Sequence, residues 1–294
     1  MNNSHVKVIY RGQSHQAAAG VRVDDFLNEV DGEIPDTVLS SLVNRRQVML
    51  DFPLRGEVEL DLVRYGDREG EAVYKRSVSL MFYEACSEVF EGARLLIGQS
   101  LGNCYHYQVS GDHPHIDEMA PDIEARMREI QGERRPFIRS TVTLEEAENH
   151  FRAAEYEGKL QLLATRRSST VPTISCGRFV DMAHGAYVRH AGCLPTFGVM
   201  PFEDGLVLRF PRRGDRNRLP DFTPRDKLFK TYLETRSWQE LLGVRHVGQL
   251  NGLCLDGGIR HIVRIAEGLH EKKIALIADE ILARRSHVRL ILIA

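Results

Sequence analysis

The sequence lacks several features that mark specialised classes of protein. Its five cysteines are odd in number and scattered, and none forms a C-x-x-C pair, which favours reduced thiols over a disulfide framework. No stretch approaches the roughly 18 consecutive apolar residues of a membrane span, and residues 1–10 contain no apolar signal-peptide core. We therefore expect a cytoplasmic protein.

A strong net charge is also missing. Lys and Arg number 39 against 41 Asp and Glu, so no overall field draws the chain to nucleic acid or anionic membrane. A local patch is present, because residues 209–218 hold five arginines and one aspartate. Guanidinium groups match phosphate oxygens, so this segment is a candidate phosphate or RNA contact, with a solvated loop as the alternative. The arginines are Arg209, Arg212, Arg213, Arg216 and Arg218.

The length of 294 residues favours more than one domain. Residues 1–66 begin with a β-rich run at 6–10, continue with helical spacing of apolar residues over 23–30, and end in alternating runs over 39–50 and 58–63. A strand, a helix and further strands within so short a segment suggest a β-grasp fold.

Residues 67–235 mix helical and strand patterns without regular βαβ alternation, which predicts an α+β domain of two layers. A helical stripe runs over 74–90, and a second helix is predicted over 116–132. Thr143 and Glu146 form a capping box that predicts a further helix start.

Residues 236–294 read as a helical connector. A long amphipathic helix is predicted over 259–285, and its apolar stripe indicates packing inside the chain or, alternatively, a dimer seam in a homo-oligomer. The continuous apolar run at 288–294 is typical of a strand buried in a parallel sheet.

Several separated segments carry a resemblance to known families. Residues 74–77, 97–107 (IGQSLGNCYHY) and 177–185 (GRFVDMAHG) resemble the editing-type second domain of threonyl-tRNA synthetases, and the first 65 residues are similar to the TGS domain that precedes it. The same pair precedes a P-loop kinase domain in uridine-kinase-like proteins of the phosphoribulokinase/uridine kinase family, which the segments 208–211, 243–251 and 269–275 also resemble. The resemblance implies a β-grasp TGS domain, an editing-like domain and a connector.

In editing-competent synthetases this domain resembles a metal site made by an H-x-x-x-H and a C-x-x-x-H pair. The matching positions here hold Arg76, Leu80, Ala183 and Tyr187. Leucine and alanine cannot bind a metal, and arginine stays protonated and repels a cation. We therefore expect neither a metal nor a catalytic residue at these positions.

The remaining side chains form a candidate ligand pocket for a nucleotide or a tRNA acceptor end. Arg76 is expected to pair with Asp181 or to bind an anion with His184 and Tyr187, unless it simply faces solvent. Tyrosines on the neighbouring strands and helix could stack a base, or they could belong to the core. The pocket residues are Arg76, Tyr83, Tyr105, Tyr107, Asp181, His184 and Tyr187. His184, His190 and Cys193 form an alternative set whose spacing matches no closed zinc pattern.

A phosphate-binding loop is missing from the chain. The Gly-Lys pair at Gly158 and Lys159 is followed by Leu160 and lacks the preceding glycine of a P-loop. The uridine-kinase resemblance implies that a kinase domain follows residue 294 and that ATP and magnesium belong there, with no cofactor in this chain. On that interpretation the chain is an inactive ligand-binding or regulatory region of a nucleoside kinase, partnered by its own kinase domain. The alternative is a stand-alone hydrolase of mischarged aminoacyl-tRNA with a rearranged metal site.

Overall fold

The computed structural model describes residues 5–222, 226–244 and 246–284. They form an α+β structure with two compact units: residues 1–141 with 172–224, and residues 142–171 with 225–294. The strand predicted at 288–294 lies outside the described residues. None of the described helices is both long enough and apolar enough to cross a membrane.

The first unit begins with a β-grasp sheet of five strands. The strands are β1 (His5–Tyr10), β2 (Gln13–Ala18), β3 (Val38–Val43), β4 (Arg46–Val48) and β5 (Glu57–Arg64). Their order in the sheet is β2-β1-β5-β3-β4, with β1 parallel to β5 and the other neighbours antiparallel. Helix α1 (Val23–Asp31) buries its apolar face against the core of this sheet.

Side-chain alternation explains why β1 and α1 meet. Val6, Val8 and Tyr10 are buried, while His5 and Lys7 face solvent, as the period of two along a strand requires. In α1 the buried residues are Val23, Phe26 and Leu27, which helical spacing places on one face. The two faces close one apolar core, as the sequence pattern predicted.

The rest of the first unit contains two helices and two antiparallel sheets. Helix α2 (Arg68–Val89) and helix α3 (Ile116–Gly132) pack together. The strands are β6 (Ala93–Ser100), β7 (Cys104–Gly111), β8 (Phe137–Thr143), β9 (Thr170–Cys176), β10 (Phe179–Met182), β11 (Gly198–Phe202) and β12 (Gly205–Arg209). One sheet has the order β11-β12-β7-β6 and the other the order β10-β9-β8.

The second unit is helical. Its helices are α4 (Leu144–Ala153), α5 (Glu157–Ala164), α6 (Asp226–Leu242), α7 (Val247–Asp256) and α8 (Ile259–Arg284). The predicted capping box opens α4: the Glu146 amide donates to Thr143 Oγ1 at 3.2 Å, and the Thr143 amide donates to Glu146 Oε2 at 2.7 Å. The boundary predicted between residues 235 and 236 falls inside α6, and the three-domain division stays a prediction.

Helix α8 packs against α6 and α7, but only part of its apolar stripe is covered. The stripe was predicted to pack inside the chain or to form a dimer seam; Ile262, Ala266 and Leu269 are half-buried, and no residue of the helix is fully buried. Val263, Ile274 and Ile277 are each close to half exposed, at 46%, 49% and 48%. Amphipathic spacing identifies a helix and its apolar face, but it does not show which partner covers that face.

Candidate functional site

The centre of the site is the contact between α2 and the segment 183–188. Arg76 Nη1 donates to the carbonyl oxygen of Ala186 at 2.6 Å, and its guanidinium carbon lies 5.6 Å from the ring centroid of Tyr187. One residue along α2, the hydroxyl of Ser77 accepts a hydrogen bond from the amide of Val188 at 3.1 Å. The helix therefore holds this segment by one charged and one neutral side chain.

A second guanidinium reaches the same turn. Arg139, on β8, donates from Nη1 to the carbonyl oxygen of Gly185 at 3.0 Å. Gly185 has φ of 110°, and a Cβ added there would lie 3.0 Å from Arg76 Nη1. A glycine is therefore needed both for the backbone conformation and for the close approach of Arg76. The sequence patterns gave no indication of Arg139, because its strand is far from the recognised segments.

The electrostatics of the turn combine these two cations with a carboxylate. Burial raises the pKa of Tyr187 to about 12, and the Asp181 carboxylate adds to that rise, whereas Arg76 and Arg139 oppose it. The Asp181 carboxylate accepts the amide of Met182 at 2.6 Å. Tyr187 is consequently a neutral phenol at physiological pH, between charges of opposite sign.

The four positions that the resemblance to editing domains assigns to metal ligands have a different chemistry here. Leu80 and Tyr187 are buried, Ala183 is half-buried, and Arg76 directs its guanidinium to the Ala186 carbonyl beside them. Hydrocarbon side chains, a neutral phenol and a permanent cation do not make a zinc donor set. The arrangement suits an anionic or hydrogen-bonding ligand better than a metal-bound water.

Three of the predicted pocket residues, all tyrosines, pack against other side chains. Tyr83 stacks on Phe179 with ring centroids 5.1 Å apart and meets Tyr107 at 5.7 Å. Tyr107 is fully buried, and its hydroxyl donates a hydrogen bond to Ser79 Oγ at 2.9 Å, so this tyrosine belongs to the core beneath α2. Tyr105, two residues earlier on β7, packs instead against Phe210.

His184 occupies the exposed end of the same turn. Its side chain faces solvent, and its backbone is hydrogen-bonded to the Tyr187 hydroxyl. The structure thus brings Arg76, Asp181, His184 and Tyr187 to one turn, where they remain a predicted ligand pocket.

A buried carboxylate that the sequence patterns missed supports the site. Glu84 on α2 is fully buried and accepts the amides of Arg178 at 2.9 Å and Phe179 at 2.5 Å. Arg135 Nη1 donates to the same carboxylate at 2.8 Å. Burial raises the pKa of Glu84. This side chain closes the turn between β9 and β10, the hairpin that leads into residues 183–188.

One group of possible metal ligands occurs among the described residues. Asp36, His190 and Cys193 each offer a donor atom, and these atoms lie within 4.8 Å of one another. The alternative set predicted from the sequence paired His190 and Cys193 with His184. In the structure it is Asp36, from the β-grasp part, that joins them.

Two arginines, Arg134 and Arg189, contact the side chains of this group. Arg134 Nη1 lies 2.6 Å from Asp36 Oδ2, and Arg134 Nη2 lies 2.9 Å from His190 Nε2. Arg189 Nη2 donates to Asp36 at 2.9 Å. The Arg134 guanidinium holds the pKa of Asp36 down to about 2, and burial lowers the pKa of His190. A metal ion would have to displace Arg134 from both ligands.

The predicted arginine segment follows β12. Arg209 is the last residue of that strand, and Arg209 and Arg216 are half-buried. Arg212, Arg213 and Arg218 are exposed.

Comparison with known proteins gives consistent relatives. The chain is 29% identical over 192 residues to a threonine–tRNA ligase of Desulforamulus reducens, which covers 64% of this chain and 30% of that protein. It is 27% identical over 249 residues to that of Rubrobacter xylanophilus, covering 82% and 38%. Threonine–tRNA ligase 1 of Bacillus subtilis is 24% identical over 190 residues, covering 64% and 30%. No family model matches the chain.

These relatives correct one expectation and support another. The chain spans less than two fifths of the length of each of these ligases, and the similarity agrees with the β-grasp and editing-like parts. The prediction of a nucleoside-kinase parent, with its kinase-domain partner, is wrong, because the matching proteins are threonine–tRNA ligases. Short segments after residue 208 suggested the kinase, and such segments are weak evidence beside a match over 249 residues.

Proposed function

We propose that this chain binds the acceptor end of aminoacyl-tRNA in its editing-like pocket. The observation that carries the proposal is the pair of guanidiniums, Arg76 and Arg139, fixed on the carbonyls of one turn. Similarity to threonine–tRNA ligases supports tRNA as the ligand.

The charges of the turn fit the chemistry of that ligand. A tRNA end carries phosphates, which arginine forks bind well, and an attached amino acid adds an α-ammonium group. Arg76 and Arg139 would face the phosphate, and the half-buried Asp181 would face the ammonium. The buried, neutral Tyr187 contacts the Arg76 guanidinium and would support its position.

Binding to a stable analogue tests the proposal. We would measure the affinity of the full chain for deacylated tRNA and for tRNA whose amino acid is attached by an amide, which cannot hydrolyse. The aminoacylated form is expected to bind more tightly, Asp181→Asn should remove that preference, and Arg76→Gln should weaken both ligands. Arg260→Gln, an exposed change on α8, is the control. Equal affinity of the wild type for both forms would refute the proposal.

A second candidate is hydrolysis of the aminoacyl ester with a rearranged metal site. The observation that favours it is the group of Asp36, His190 and Cys193, whose donor atoms lie within 4.8 Å of one another. Nitrogen, oxygen and sulfur donors suit zinc. Release of the amino acid from mischarged tRNA should then be faster with zinc than with a chelator, and His190→Ala should abolish the difference. If mischarged tRNA is hydrolysed no faster with the zinc-loaded protein than in buffer alone, hydrolysis is ruled out and binding stays the proposed function.

A further inference from the structure

The arginine loop, residues 209–221, is held in place at both ends. Phe210 is fully buried, and the hydroxyl of Tyr65 donates to the carbonyl oxygen of Pro211 at 2.7 Å. At the far end, Arg209 Nη2 donates to the carbonyl oxygen of Pro220 at 2.6 Å. These bonds fix the loop before any ligand arrives.

The interior of the loop is a hydrogen-bonded turn. The amide of Asp215 donates to the carbonyl oxygen of Arg212 at 2.9 Å, and Asp215 Oδ1 accepts the amide of Asn217 at 3.2 Å. Arg213 Nε donates to the carbonyl oxygen of Gly66 at 3.0 Å. The loop's central aspartate thus supports its own backbone.

Among the described residues, the loop arginines lack the carboxylate partners that several other arginines have. Arg126, Arg134 and Arg135 each lie within 2.8 Å of a carboxylate oxygen. In the part of the chain that the structure describes, none of the five loop arginines has a carboxylate oxygen within 4.0 Å of its side-chain nitrogens. Five arginines with Asp215 and Asp221 leave a local charge of +3 in a chain of net charge −2.

A cavity of about 410 Å³ opens in this loop. Exposed Arg212 and Arg218 line it together with Pro220, Asp215 and Asp221. Its walls therefore hold cationic forks that can bind phosphate oxygens in pairs. Among the described residues that line the cavity there is no aromatic ring on which a base could stack.

We propose that the arginine loop binds the phosphate backbone of RNA, with Arg212 and Arg218 as direct phosphate contacts. Exposed cations spread over several residues match the repeated charges of a backbone rather than one small anion. The lining favours contact with phosphates without reading of base sequence. The choice of tRNA as the RNA rests on the function proposed above.

The salt dependence of binding tests this inference. Fluorescence anisotropy would follow labelled, deacylated tRNA binding to the full chain at salt concentrations from about 50 to 200 mM. Each lost phosphate contact lowers the slope of log affinity against log salt by about 0.7–0.9, so Arg212→Gln with Arg218→Gln should lower it by about 1.4–1.8. Arg260→Gln with Arg264→Gln removes the same charge from exposed positions on α8 and should leave the slope unchanged.

The outcomes separate the two proposals. If the loop variant and the control variant have the same slope, the loop inference is overturned, even where aminoacylated tRNA is still preferred. If the loop variant has a lower slope of log affinity against log salt, but the wild type binds aminoacylated and deacylated tRNA equally well, the loop inference stands and the proposed function fails. If the wild type binds phosphatidylserine vesicles and not tRNA, the loop is a membrane contact and the RNA inference is overturned. Urea unfolding of both variants checks that they are folded.

Discussion

Arg76 lies over the ring of Tyr187 and donates to the carbonyl oxygen of the preceding residue, Ala186, at 2.6 Å. Both residues occupy positions where editing-competent synthetases are expected to hold metal ligands. A cation and a phenol therefore stabilise each other where a metal would join helix and turn.

Replacing Arg76 tests this contact. Arg76→Ala leaves the Ala186 carbonyl without its charged donor, so the free energy of unfolding should fall by about 1–3 kcal/mol. Urea denaturation of the variant and the wild type measures the difference, and Arg260→Ala on α8 serves as the exposed control. If neither stability nor tRNA affinity changes, the pocket is a remnant without a role.

Glu84 should be the most sensitive carboxylate of the first unit. Glu84→Ala leaves the amides of Arg178 and Phe179 and the Arg135 guanidinium without their buried acceptor, and breaking such a pair costs about 3–5 kcal/mol. Glu88→Ala should cost less, because Glu88 is partly exposed. Thermal and urea unfolding of the two variants compare them, and equal losses would contradict the role given to Glu84.

Acid should weaken the contact between Asp36 and its arginines. The Arg134 guanidinium lowers the pKa of Asp36 from 3.8 to about 2. Because the folded-state pKa is depressed, this contribution to stability is present above pH 3.8 and is lost as the pH falls towards 2. Asp36→Asn should therefore unfold more easily than the wild type at neutral pH, and the gap between them should close in that acid range. A gap independent of pH would count against the ion pair.

His190 should add a second loss of folding stability as the pH falls. Burial lowers its pKa below 6.5, so the unfolded chain takes up a proton first and stability falls as the pH drops through 6.5. His190→Asn should remove this step from the melting temperature measured against pH. A step that persists in the variant would belong to another group.

Metal content tests the replaced ligand positions. The wild type should hold no zinc between Arg76, Leu80, Ala183 and Tyr187, since those side chains offer no donor set. A variant with Arg76→His, Leu80→His, Ala183→Cys and Tyr187→His should bind one zinc ion per chain. Elemental analysis of dialysed protein measures both. Zinc in the wild type that disappears on Cys193→Ser would instead lie at the Asp36 group.

Local patterns predicted the elements better than their partners. The apolar spacing of α1 and the capping box of α4 depend on residues close in sequence, and both are confirmed. Helix α2 begins at Arg68, ahead of the prediction at residue 74, because its first turn is polar and carries no apolar stripe. The stripe on α8 identified the helix but not what covers it.

For the candidate site, too, the sequence indicated some residues but not their long-range partners. The resemblance to editing domains singled out Arg76 and Tyr187, and the structure places the Arg76 guanidinium carbon 5.6 Å from the Tyr187 ring centroid. Motif spacing could not find Arg139, Glu84 or Asp36, because each acts on residues tens of positions away through side chains with no motif of their own. Long-range pairing of single charges leaves no period in the sequence.

The bonds of Glu84 also set an order for folding. The turn between β9 and β10 contains Gly177 at φ of 65°, and a Cβ there would lie 1.9 Å from Glu84 Oε1. The next two amides, of Arg178 and Phe179, donate to a side chain more than 90 positions earlier in the chain. The strands of this hairpin pair with each other directly, from Cys176 and Phe179 onward. The two turn amides, however, gain their buried carboxylate acceptor only when the long loop back to Glu84 has closed. The turn that leads towards residues 183–188 should therefore reach its full stability only after α2 has formed and docked.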